Sequence, residues 1–205
     1  MHAIWAKETF GTADLGDSRR TTRLVKIGAR AAMNPNGRVS DTFTSAAERQ
    51  GAYDFLENER IEVVPIISAI ARCTLVSCSQ SDTVYSIIDG SSLGLVDDGG
   101  TKGFGSVGAL NKGGVGLKVI SSIAVDENGT TIGLLDQQWW CRTKARRQTK
   151  KQKRAENAKR SVKDKETQRW LDCITETQNR ADDHQVRVCF LLDVIDPANP
   201  RIDGG

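Results

Sequence analysis

The feature that most limits what this chain can fold into is a change of apolar spacing near residue 80. Before it, apolar residues recur at helical intervals. After it they come in short runs and alternations of strand type. A chain of 205 residues with this division accommodates one ordinary domain or two small ones. The expected fold class is mixed α and β: an all-α part over residues 1–80, then an α/β part over 81–205.

Local signals place the elements. Asp17 is a capping residue for a helix running to about Ala32, ended by "NPNG", Asn34 to Gly37. "SAAE", Ser45 to Glu48, has the form of a capping box and opens a helix through Leu56. A third helix is expected from about Glu62 to Cys78, with Pro65 in its first turn. Thr83–Asp89 reads as a strand, and Gly90–Gly116, with ten of the nineteen glycines, as a long loop. "DENG", Asp126 to Gly129, joins two strands, Leu117–Val125 and Thr130–Trp139, into a hairpin. A helix follows over Asp164–Ala181 and a last strand over Val186–Asp193, and the end of the chain reads as coil.

Charge is segregated. The balance of 29 Lys+Arg against 26 Asp+Glu gives only +3. Yet the segment Arg142–Lys163 holds eleven basic residues and one acid, Glu156, which leaves the remainder net negative. A basic block on an acidic body suits a polyanion, and nonspecific phosphate contacts are its expected role, although a disordered or solvated arm is the commoner reading of so polar a run. In the first capped helix, Arg19, Arg23, Lys26 and Arg30 fall at i, i+4, i+7 and i+11, one narrow cationic stripe with Arg20 beside it. Leu24 and Ile27 lie away from the stripe, where a core forms. Such a helix lies along phosphates or enters a major groove, although a solvated helix face accounts for the same pattern.

Five cysteines and two histidines show no zinc spacing, and free thiols in a reducing compartment follow. The first twenty residues are polar and charged, with no secretory leader, and no apolar run nears a membrane span. A soluble, intracellular protein with no membrane partner is the expectation. "GFGSVG", Gly103 to Gly108, fits a dinucleotide fingerprint only by letter, since neither a strand before it nor a helix after it is expected.

Two carboxylates share one grammar. Asp89 follows the apolar run of "VYSIID", and Asp193 ends "VRVCFLLD". On neighbouring strands they would converge at one sheet edge, where hard oxygen donors suit Mg²⁺ or Mn²⁺ and phosphodiester chemistry. An ordinary acid at a strand end is the competing reading.

Five ordered segments resemble the bacterial cut-and-paste transposases of the insertion-sequence-four type. They are "WAKETFGTADLGDSRRTTRLV" from Trp5, "QGAYDFLEN" from Gln50, "IIDGSSL" from Ile87, "GLLDQQWWCR" from Gly133 and "KETQRWL" from Lys165. The resemblance implies a transposon-end DNA-binding domain over 1–80 and an RNase H-like core over 81–205. That core would hold a divalent metal with two Asp and one Glu, and Asp89 and Asp193 match the two Asp. It further implies that Arg19, Arg20 and Arg23 hold double-stranded transposon-end DNA. The activity implied is nicking at the ends followed by strand transfer, within a homodimer or a heterodimer with full-length transposase. No residue here matches the catalytic Glu, and "VIDPANPRIDGG" replaces the usual continuation after the second Asp. A C-terminally truncated transposase with weak metal binding and little cleavage is therefore expected. The alternative is a catalytically dead DNA-binding regulator of transposition.

Overall fold

The computed structural model describes residues 1–107, 114–142 and 166–192. It is a mixed structure with helices first and a mixed sheet after them. Five helices open the chain: α1 (His2–Phe10), α2 (Ser18–Met33), α3 (Val39–Thr42), α4 (Ala46–Leu56) and α5 (Val63–Cys78). Then come β1 (Val84–Leu95), β2 (Gly105–Ser106), β3 (Val115–Val125), β4 (Thr131–Trp140), α6 (Glu166–Asp183) and β5 (Val188–Leu192).

The helix boundaries follow from local chemistry. Asp17 is extended and its carboxylate accepts from the Arg19 backbone N–H at 2.9 Å, which satisfies one of the unpaired donors at the start of α2. Asn34 leaves the helical region as the residue before Pro35 must. The Ser45 hydroxyl accepts from the Glu48 N–H at 3.1 Å and starts α4. Pro65 sits in the first turn of α5, where a missing N–H breaks no helical bond.

One apolar cluster joins Leu15, Leu24, Phe55 and Ala69, with Phe10, Ile27 and Ile66 packed against it. Gly28 lets α1 approach α2 closely, because a Cβ there would lie 2.5 Å from the Phe10 ring. A second cluster joins Leu75, Cys78, Val84, Ala124, Leu135 and Ala181. Helix α5 thus supplies Ala69 to the helical cluster and, two turns on, Leu75 and Cys78 to the core beneath the sheet.

The sheet runs β2-β3-β1-β5, with β4 also on β3. β1 pairs antiparallel with β3 from Tyr85↔Val125 to Leu95↔Val115, and β3 pairs antiparallel with β4. After α6, β5 returns parallel to β1, from Val84↔Val188 to Ile88↔Leu192. The turn between β3 and β4 is the expected one: Asp126 accepts from the Asn128 and Thr130 N–H groups, and Gly129 takes φ 82°.

Two expectations are corrected. Asp89 does not end its strand, since β1 continues to Leu95, and the segment expected as a loop begins and ends in paired strand. Burial stops at Ile88, so the apolar pattern that marks a strand disappears while the ladder to β3 goes on. Gly90 and Gly116 are required there: a Cβ on Gly90 would press on Trp170 at 2.9 Å, and one on Gly116 would strike the Leu93 carbonyl. The adjacent tryptophans also part company. Trp140 packs beside Ile88, Ile120 and Cys173, whereas Trp139 is exposed.

Candidate nucleic-acid interface

Leu24 turns α2 inward, which puts Arg19, Arg23, Lys26 and Arg30 on its exposed side. Their circumstances differ. Arg19 is held by its own helix cap, with its guanidinium 2.9 Å from Asp17 Oδ2. That hydrogen bond, helped by the Arg19 backbone N–H, draws the Asp17 carboxyl down from 3.8 to about 2. Arg20 leaves the stripe and donates to the Leu15 carbonyl at 2.9 Å. Arg23 lies over Gly51 of α4, where a Cβ would collide with the guanidinium. Arg30 pairs with Glu48 of α4 at 3.1 Å. Arg23 and Lys26 have no hydrogen bond or ion pair with any described residue, so their charge is the most available.

The stripe borders a cleft of about 400 Å³ between α2 and the helices on either side. Its floor is apolar, with Ala3, Ile27 and Phe43, and Arg23, Lys26, Arg30 and Glu48 stand around it. Glu48 was not foreseen as part of this surface. Its helix-capping position was legible, but its place opposite Arg30 depends on how α4 packs across α2.

Asp89 lies within β1, opposite Ser121 of β3. Val84, Ser86 and Ile88 face the buried side, covered by α5 and α6, and Asp89 alternates to the open side. Ile87 and Leu191 share that side, 42% and 48% exposed. The Asp89 carboxylate has no hydrogen bond or ion pair with a described residue. Asp193 lies outside the described residues, as does the basic segment beyond Arg142. The last pair of the parallel ladder is Ile88 with Leu192, in each strand the residue that precedes a candidate carboxylate in sequence. Among the described residues no group of three His, Cys, Asp or Glu side chains is placed to hold a metal ion.

A third acid has the same sequence grammar and a different fate. Asp136, at the end of "IGLLD" in β4, is 1% exposed. Arg180 of α6 meets its Oδ1 at 2.8 Å and also donates to the Leu135 carbonyl at 2.8 Å. The same guanidinium reaches Glu176 at 3.0 Å and the Ser68 hydroxyl of α5 at 3.3 Å. Gln138 donates to the other Asp136 oxygen at 2.8 Å. This network ties β4, α5 and α6 together. Burial, with Asp136 alongside, pushes the Cys173 thiol up to about 12. The network was missed because Asp136 and Arg180 are separated by a long stretch of sequence and only packing brings them together.

Residues 2–61 match the family of transposase DNA-binding domains. The matched stretch spans α1 to α4, and with them the stripe and its cleft. It supports a transposase that binds DNA. Among the described residues no helix is long and apolar enough to cross a membrane.

Proposed function

We propose that this chain is a transposase of the insertion-sequence-four type, whose N-terminal helices hold duplex DNA at a transposon end. The observation that carries the reading is the coincidence of the matched residues 2–61 with the exposed cations of α2. Arg23 and Lys26 meet phosphates directly, and Arg19 and Arg30 join them on leaving their carboxylate partners. Phosphate contacts of this kind give affinity and register rather than sequence choice.

The sheet is read as part of an RNase H-like core, three antiparallel strands followed by a helix and a strand parallel to the first. Asp89 and Asp193 are its first two metal-ligating carboxylates. Two features support this: the ladder register that ends on Ile88 and Leu192, and an Asp89 carboxylate with no partner among the described residues. Such oxygen donors suit Mg²⁺ or Mn²⁺, which would activate the attacking oxygen and stabilise the leaving one at a phosphodiester. Asp89 and Asp193 would hold the ion, while the α2 cations fix the duplex. The partner reading is a dimer, of this chain or with full-length transposase, on paired ends. A regulator that occupies ends without cutting them shares the binding half of this account.

The test is fluorescence anisotropy of a labelled duplex across a salt series, with Mg²⁺-dependent nicking measured in parallel. Arg23→Ala and Lys26→Ala are each expected to lower the slope of log affinity against log salt by about 0.9. Affinity independent of salt, or unmoved by both substitutions, refutes the DNA-binding role. Nicking abolished by Asp89→Ala favours the catalytic reading, and binding without nicking favours the regulator.

A further inference from the structure

We infer that Glu48 is a built-in stand-in for DNA phosphate: it occupies Arg30 in the free protein, and a backbone phosphodiester entering the α2–α4 cleft displaces it. The inference rests on the DNA-binding reading above and concerns how that site is regulated.

Three observations point to it. Glu48 is the acid among the cleft-lining residues, facing Arg23, Lys26 and Arg30, and its carboxylate is 3.1 Å from the Arg30 guanidinium. Both partners are about half exposed, so the pair is held loosely and a stronger anion can take it over. The cleft around them, about 400 Å³ with Ile27 and Phe43 beneath, has room for a phosphate with its sugar laid on apolar surface. A carboxylate accepts from guanidinium as a phosphate does, and here the contact is a single one, from the Arg30 guanidinium to one Glu48 carboxylate oxygen. Exchange of one for the other therefore keeps that Arg30 N–H donor paired in both states. The consequence is a tax on every binding event: affinity is lower than the cations alone would give, and weak polyanion contacts that do not enter the cleft are discouraged.

The experiment uses the 205-residue chain and a labelled duplex, with anisotropy read across a salt series. Glu48→Gln keeps the side-chain length and still suits the third position of a helix. It is expected to tighten binding about two- to fivefold, the range of an exposed ion pair. Arg30→Ala is expected to lower the salt slope by about 0.9. Asp54→Asn, the same charge change on α4 outside the cleft lining, is expected to tighten binding less than Glu48→Gln. Ala29→Phe, which fills the cleft without changing charge, is expected to weaken binding. Its fold is checked by circular dichroism, and if it does not fold the three charge variants decide.

The inference is overturned by equal effects of Glu48→Gln and Asp54→Asn, by an unchanged slope in Arg30→Ala, or by a folded Ala29→Phe that binds as the parent does. If Arg23→Ala lowers the slope while the Glu48 arm is silent, the DNA-binding reading stands and only the displacement fails. If the parent chain shows no salt-dependent duplex binding, both fall.

Discussion

Replacing Arg180 with alanine is the sharpest test of how the sheet is held. The side chain is 13% exposed and gives four named contacts: Asp136, the Leu135 carbonyl, Ser68 and Glu176. In Arg180→Ala, Asp136 stays buried without its guanidinium partner, while Gln138 still donates to its other oxygen. The Leu135 carbonyl loses the same guanidinium. Breaking a buried pair from one side costs about 3–5 kcal/mol, because an uncompensated charge remains inside. Against a typical stability of about 5–15 kcal/mol, that is a large share. The assay is urea unfolding followed by circular dichroism, with the slope m compared between variants so that a shift in midpoint reads as stability. Arg30→Ala, which breaks a half-exposed pair, is the internal comparison and is expected to cost no more than about 1 kcal/mol. The double variant Asp136→Leu, Arg180→Met removes both charges and is expected to recover much of the loss. A cost below about 1 kcal/mol for Arg180→Ala would refute the reasoning, since it would mean that Asp136 is stabilised without its partner.

Two further outcomes follow from the thiols and the helix cap. Burial pushes Cys78 to about 11 and Cys173 to about 12, while Cys141 and Cys189 are exposed; an aromatic disulfide reagent at mild alkaline pH should therefore label Cys141 and Cys189 in the folded chain, and Cys78 and Cys173 after unfolding. Rapid labelling of Cys173 in the native state would contradict its position beneath β1 and β3. The Asp17 carboxyl sits near 2 in the folded chain against 3.8 in the unfolded one, so its capping contribution is complete above about 4 and is lost as pH falls towards 2. Carbon NMR of that carboxyl should give a low midpoint in the parent chain and a rise towards 3.8 in Arg19→Ala, and an identical midpoint in both would remove Arg19 as the cause.

Short-range chemistry was readable from the residues alone. Asp17, Ser45, Pro65 and the Asp126–Gly129 turn each act on their immediate neighbours, and each appears where its chemistry requires. The second half of β1 was not readable, because Gly90 to Leu95 is sustained by pairing with residues 20 to 30 positions away rather than by burial. The cationic stripe was visible as a helical period, yet its division into engaged and available members was not. That division depends on the orientation of Arg20 and on the approach of α4, which brings Glu48 to Arg30 and Gly51 under Arg23. Asp136 shows the limit of the strand-then-acid pattern, which does not distinguish a carboxylate open to a ligand from one sealed against an arginine.

Helix α5 begins just beyond residue 61, where the matched stretch stops, yet Ala69 fills the interior formed by Leu15, Leu24 and Phe55. An excised fragment ending at residue 61 would leave that interior open to water on one side. Closing that interior around the α2 cations therefore takes α5 at least as far as Ala69, and because Leu75 and Cys78 of the same helix are seated under the strands, one continuous rod links the cationic helices to the sheet.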